Sequence, residues 1–363
     1  AEATNLTAMF RHRVFGHDIA VLDPCGIADV PERFRVHYNP MLSTHIDDPY
    51  FLERLQEIWK GVVFRTGEDI GQTFSIRYYL DENDVPTLPA IVRDLNRPGD
   101  PDDPTSEIGS IIAELRNVTD PRIKPIIDRG LNHFKTKSAD TVRSELNTHL
   151  GWILTDHMRM SLSRNSDFNG SKFSFNSLIR PKTSVYVVVP RERLDNYRGY
   201  LRLMAAQAID AVYAAGDSDL KTWFCLNEAA AIGKLEKLIT NAGAMPSSGV
   251  KLDYVWQDIG QARSMMGRDG FNTYYSTCGI SEFIGSADKD TCEFIADQCG
   301  LNPITQRPLM DWATVKKFIM PPRDGIHIAR RKLIFLAHGD HVISVKPKPY
   351  FVDFPDVNRR GAK

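Results

Sequence analysis

The chain has 363 residues, 42% of them hydrophobic and 25% charged, with a formal net charge of −1. This is the balance of a globular protein large enough for two domains, or for one domain carrying an insertion. Near neutrality excludes nucleic-acid capture through a global positive field. The five cysteines show no C-x-x-C spacing, which argues against a zinc ribbon and a disulfide scaffold, and reduced, mostly buried thiols are expected.

No run reaches the roughly 18 apolar residues of a membrane span, and no secretory signal is visible. Position 1 is Ala rather than Met, which reads as a fragment or a processed product. Residues 2–14 (EATNLTAMFRHRV) read as a short helix. "DIAVLDP", Asp18 to Pro24, reads as a buried strand that the proline stops. The stretch from Gly26 to His45 is loop-like. Helical patterning begins with "DPYFLERLQEIWKGVV", where Asp48 is the expected cap and Pro49 lies in the first turn. Residues 46–176 stay mostly helical. "TSEIGSIIAELRNV" places Ile108, Ile111, Ile112 and Leu115 on one face. "SADTVRSELNTHLGWILTDHMRMSLS" is expected to be one long helix capped by Ser138; the Pro/Asp-rich loop "RPGDPDDPTS" interrupts the helices, and "SRNSDFNGSKFSFNS" is another polar loop.

Beyond this block the texture changes. "SVYVVVP", "TWFCL", "KLDYVWQ" and "GISEFIG" read as strands. Between and after them, helical stretches end at Gly216, Gly243, Gly267 and Gly300. Such alternation implies an α/β fold, a mostly parallel sheet flanked by helices. "RKLIFLAHGDHVISVK" adds an antiparallel hairpin turning at Gly339, and "NRRGAK" is a frayed tail.

The run Trp223-Phe224-Cys225-Leu226 ends in Asn227-Glu228. In open α/β sheets, ligands bind at this carboxyl edge. Glu228 has the chemistry to polarise a water, and Asn227 can hydrogen-bond a magnesium-bound water without the charge of an Asp. Gln257 ends the following strand and would stand beside Glu228, suited to sensing a γ-phosphate or orienting water. The plainer reading is that strands end in polar residues. No G-x-x-x-x-G-K-[ST] loop occurs, so these residues alone do not build a phosphate cradle. His338, Asp340 and His341 read as solvated turn residues, and His149, Asp156 and His157 are too spread to chelate, so no metal site is assigned. Arg330, Arg331 and Lys332 form the densest basic run, either a solvated edge or a DNA or partner contact.

The ordered set of motifs resembles the TraG/TraD-like type IV secretion coupling proteins, relatives of FtsK-type and HerA-type ring ATPases. "GHDIAVLDPCG…HYNPM", "SVYVVVPRERLDNYRGYLRLM", "TWFCLNEAAAIGKLEKLITNAG", "VWQDIGQARSMMG" and "CGISEFIGSADKDTCEFIADQCG" carry it. The resemblance implies a RecA-like nucleotide-binding domain. Residues 1–45 would form its first part, 46–176 an inserted all-α domain, 177–355 the remainder and 356–363 a tail. It implies a motor ATPase of conjugation at the inner membrane, facing the cytoplasm and using ATP and Mg2+. It would be a homo-hexamer that receives relaxase-bound single-stranded DNA or protein substrates and hands them to the secretion channel. Glu228 would be the catalytic carboxylate, Gln257 the sensor, and Asn227 the occupant of the magnesium-side Asp position. The family's Walker A loop and membrane helices would lie upstream of residue 1. The Asn in place of Asp, and "AMPSSG" where the family often carries an arginine, keep open a second reading: a non-hydrolysing scaffold or cargo adaptor. An unrelated α/β enzyme using Glu228 and Gln257 is a third.

Overall fold

The computed structural model describes residues 2–63, 66–81, 85–136, 139–216, 219–233, 243–285, 288–320, 331–336 and 342–347. The chain packs as two units, Ala1–Thr222 and Trp223–Lys363.

The first unit opens with α1 (Glu2–Phe15) and β1 (Asp18–Leu22), the last four residues of which are buried. Seven helices follow: α2 (Phe51–Val62), α3 (Thr66–Leu80), α4 (Leu88–Leu95), α5 (Glu107–Arg116), α6 (Lys124–Thr136), α7 (Ala139–Leu150) and α8 (Asp156–Ser161). A two-rung hairpin, β2 (Asp167–Phe168) and β3 (Ser171–Lys172), precedes β4 (Thr183–Val187) and α9 (Arg198–Ala214). β4 pairs with β1 in parallel, from Asp18 opposite Thr183 to Leu22 opposite Val187. The helices are thus an excursion between two neighbouring strands.

Local chemistry explains these elements. α2 buries Phe51, Leu55, Ile58, Trp59 and Val62, three or four residues apart as one helix face requires. Ser106 caps α5, its Oγ accepting from the Gly109 amide at 3.1 Å, and Ile108, Ile111, Ile112 and Leu115 are buried as expected. α3 packs on α2, α4 and α6. Gly71 permits this: a Cβ there would meet the Trp59 ring at 2.3 Å.

Three expectations change. Asp48 caps the turn before α2 rather than the helix, accepting from the Tyr50 amide at 2.8 Å. The long helix expected after Ser138 breaks at Gly151 into a 3-10 turn, and Thr155 turns extended (φ −68, ψ 145) before α8. The break buries Ile153 and brings Trp152 edge-on to Tyr200 at 6.1 Å; Ser138 itself lies outside the described residues. The polar loop after α8 holds the β2–β3 hairpin, because Asn169 and Gly170 both take positive φ (49 and 79), as the tight Asn-Gly turn demands. Its neighbours Phe168 and Phe173 join Tyr38 and Phe175 in an aromatic cluster.

The second unit contains β5 (Thr222–Leu226), α10 (Ala229–Ile232), β6 (Val250–Tyr254), α11 (Ile259–Met266), α12 (Arg268–Thr277), β7 (Ile280–Phe283), α13 (Lys289–Gln298), α14 (Trp312–Ile319), β8 (Lys332–Leu336) and β9 (Ile343–Val345). β5 lies beside β6, and β7, β8 and β9 form an antiparallel sheet in that order. The C-terminal strands pair as expected, while their turn at Gly339, with His338, Asp340 and His341, is outside the described residues. So are most of "GKLEKLITNAG" and the tail. Helix α12 had no counterpart in the reading of the sequence.

β5 is less buried than its apolar run suggests. Trp223 is 59% exposed and Cys225 is exposed, because alternate residues of the strand face out. Of the cysteines only Cys292 is fully buried, so the expectation of mostly buried thiols fails; Cys25, Cys278 and Cys299 lie in a turn or at helix ends and are partly exposed.

Candidate functional site at the ends of two neighbouring strands

Asn227 and Glu228 follow the last residue of β5, and Gln257 lies three residues past β6. The strands stay in register beyond their ends. The Leu226 carbonyl accepts from the Val255 amide at 3.1 Å, and the Val255 carbonyl accepts from the Ala229 amide at 3.3 Å. This brings Gln257 Nε2 to 3.5 Å from Glu228 Oε1, at the long end of hydrogen-bond range. The two side chains that the sequence placed on adjacent strands therefore do meet.

Glu228 is the cap residue of α10 but makes no side-chain cap bond. Its carboxylate therefore keeps lone pairs for something other than its own helix. Asn227 is differently employed: its Oδ1 accepts the Cys225 thiol at 3.0 Å, and that sulfur lies 4.0 Å from Asp253 Oδ2. Burial raises the Cys225 thiol pKa, and the Asp253 carboxylate adds to the shift. The thiol form, which is the form that donates to Asn227, is favoured.

Gln257 is held from behind. Its amide donates to Gln261 Oε1 at 3.1 Å, and the Gln261 amide donates to the Asp258 carboxylate at 2.7 Å. Asp258 caps α11 and Gln261 reaches back from the third helical position, a capping box displaced by one residue. The pattern D-x-x-Q in "QDIGQ" was the signal for it, and the reading of the sequence did not use it. Thr291 was also missed; its Oγ1 accepts from the Ile259 amide at 3.0 Å.

The basic run has intrachain employment. Lys332 Nζ pairs with Glu282 at 3.0 and 3.1 Å across the sheet. Arg331 donates to Ser344 Oγ at 3.2 Å and lies over the Phe318 ring; Arg330 is outside the described residues. His149 and His157 fall on separate helices, and His157 meets the Tyr197 hydroxyl at 2.8 Å.

The carboxylate of Glu228 and the amide of Gln257 thus meet past the carboxyl ends of adjacent strands, and in open α/β sheets ligands bind at that edge. A family profile described as Type IV secretory system Conjugative DNA transfer matches residues 1–309. The chain belongs to this family. It is 27% identical over 138 residues to the probable conjugal transfer protein TraG of Sinorhizobium fredii, which is 38% of this chain and 22% of TraG. It is 24% identical over 229 residues to the type IV secretion system-coupling protein VirD4 of Bartonella henselae, which is 62% of this chain and 33% of VirD4. The chain thus matches a third or less of these relatives' length. Among solved structures it is similar to the bacterial conjugative coupling protein TrwBdeltaN70, with TM-score 0.64, 12% identity, and 91% of this chain and 73% of that one covered. Plasmid coupling protein TrwB in complex with a non-hydrolysable GTP analogue aligns with TM-score 0.65 and 11% identity, over 96% of this chain and 84% of that one. The fold is therefore the α/β coupling-protein fold expected from the sequence. None of the helices among the described residues is long and apolar enough to cross a membrane.

Proposed function

We propose that this chain is part of the motor ATPase of a type IV secretion or conjugation system, the protein that delivers relaxase-bound DNA or protein substrates to the secretion channel. The observation that carries the reading is the approach of Gln257 to Glu228, 3.5 Å apart past the ends of neighbouring strands. Glu228 would polarise the attacking water as general base, and Gln257 would orient that water and sense the γ-phosphate. TrwB has been solved in complex with ADP and Mg2+, and the donor set here suits the same ligands: one carboxylate and two amides past the ends of two neighbouring strands. Bound Mg2+ would neutralise charge on the phosphates. Asn227 would hold a magnesium-bound water. These 363 residues contain no G-x-x-x-x-G-K-[ST], so the reading requires the phosphate-cradling loop to come from residues outside them.

Within this reading residues 1–45 and 177–355 would form the nucleotide-binding domain, and 46–176, helical apart from the β2–β3 hairpin, would form an inserted domain turned toward cargo. The protein would work as a homo-hexamer at the bacterial inner membrane, on its cytoplasmic face. A partner contact at the basic run would rest on Arg330 and Arg331, since the Lys332 ammonium is taken by Glu282.

A second reading, a non-hydrolysing scaffold or cargo adaptor, is favoured by Asn227. Its neutral amide brings no charge to a metal, and its oxygen is already engaged by the Cys225 thiol. ATP turnover of the full-length protein, with and without single-stranded DNA, separates the two. We expect turnover that Glu228→Gln lowers by about 100-fold or more. Absence of turnover in the wild type under both conditions would overturn the motor reading.

A further inference from the structure

We propose that Thr291 is a positioning residue for the Gln257–Glu228 pair, acting from a different helix. The inference rests on the motor reading for its catalytic consequence, but its geometry stands apart from it. A helix begins with amides that have no partner within the helix. At α11 the third of these, Gln261 N, is met by the cap Asp258 at 2.7 Å. The first, Ile259 N, is buried, and no local acceptor serves it. Its acceptor is Thr291 Oγ1 at 3.0 Å, 32 residues further along the chain.

Thr291 is itself fixed. It is 2% exposed, and its own amide donates to Asp288 Oδ2 at 2.9 Å in the cap of α13. Burial would raise the Asp288 pKa, but the bonds from Thr291 and Asp290 outweigh it and lower the pKa. Asp288 therefore acts as an ionised anchor at the helix start. α11 and α13 are joined a second time, where the Arg263 guanidinium lies 5.5 Å from the Phe294 ring centroid.

The connections form one chain of contacts. Asp288 sets Thr291, Thr291 sets Ile259, and the start of α11 sets Gln257 through Asp258 and Gln261. Gln257 is two residues before the amide that Thr291 holds. Rotation of the first turn of α11 would carry the Gln257 amide away from Glu228, where the bond is already long. The start of α13 thereby becomes part of the machinery that aims the sensor, although Thr291 touches neither reacting partner.

The test pairs Thr291→Val, which keeps the shape and removes the acceptor, with Thr291→Ser, which keeps the oxygen. In the chain of 363 residues, amide exchange at Ile259 should rise about tenfold in the Val variant and stay near wild type in the Ser variant, the measure of one lost buried hydrogen bond. In the full-length protein the Val variant should lower kcat for ATP about tenfold, leave KM within about twofold, and be rescued by Ser. Unchanged exchange at Ile259 in the Val variant overturns the proposal. So does unchanged kcat in a protein that turns ATP over, or equal losses in both variants. If the wild type does not hydrolyse ATP the motor reading fails, and exchange at Ile259 still decides whether Thr291 positions the loop.

Discussion

The helical excursion of the first unit and the strand-end site of the second treat charge in opposite ways. The largest fully buried side chains, led by Trp59, Tyr200, Phe74 and Phe173, all belong to the first unit. Inside it sits Asp94, 1% exposed, with one oxygen accepting from Arg77 and the Tyr78 hydroxyl and the other from Arg97. Among the described residues the Glu228 carboxylate has a single long bond, to an exposed amide. A buried carboxylate whose lone pairs are filled by its own chain holds helices together. A carboxylate left half-satisfied at a strand edge is available to something that arrives from outside.

The largest effect expected is on the first of these. Asp94→Ala should destabilise the first unit by about 3 kcal/mol, the low end for breaking a buried ion pair. The low end applies because Arg77 and Arg97 are partly exposed and keep Glu114 and Glu107 as partners. Among the described residues Tyr78 has no such second acceptor. Urea melting followed by hydrogen exchange should show the loss in α3, α4 and α5 while the second unit keeps its protection. A loss of less than about 1 kcal/mol, the value of an exposed pair, would mean that the cluster is no clamp.

The second prediction addresses the site. Asn227→Asp replaces a neutral acceptor with a charged one, and hydrogen bonds to ionised groups are roughly twice as strong. It also adds a negative charge near the Asp253 carboxylate, which approaches Cys225 from the neighbouring strand. The added charge asks for a cation. Turnover in the full-length protein should rise about tenfold and depend more steeply on Mg2+. No gain at saturating Mg2+ would remove position 227 from the list of what limits the rate.

The sequence made the strand-end site legible because strand ends and the order of neighbouring strands follow from apolar runs and short connections. "TWFCL" and "KLDYVWQ" were enough to place Glu228 and Gln257 on adjacent strands. The helical excursion was legible as helices, though not at its breaks. Gly151 and Thr155 weaken a helix only modestly by propensity, and the burial of Ile153 and the meeting of Trp152 with Tyr200 decide the outcome there. Those are long-range packing events. The Asn169-Gly170 hairpin was a local signal lost within a polar stretch. The exposure of Trp223 and Cys225 was not readable from composition, since an apolar run does not say how many faces of its strand are covered. Thr291 was invisible for a further reason: its partner is an amide, and amides carry no sequence signature.

The smallest effect expected concerns pH, and it is read in the first unit. His37 has a pKa lowered from 6.5, mainly by burial and then by Arg164, with Glu32 opposing. His17 is lowered in the same sense by burial, Arg11 and Lys182, with Asp18 opposing; its Nδ1 lies 2.8 Å from Ser184 Oγ, beside the β1–β4 pair. A histidine with a lowered folded pKa binds its proton more readily in the unfolded chain. Its neutral form therefore contributes stability that is full above the unfolded pKa and is lost as pH falls below it. The first unit should soften as pH drops below 6.5, before the carboxylates begin to protonate near about pH 4. The histidines of the second unit, His327, His338 and His341, lie outside the described residues, so the test is the change in the first unit's own slope. Melting followed by exchange at about pH 7.5, 6 and 5 reads both units at once. His37→Gln should flatten the slope of the first unit. A slope of the first unit unchanged by that substitution would assign its acid sensitivity to groups other than His37.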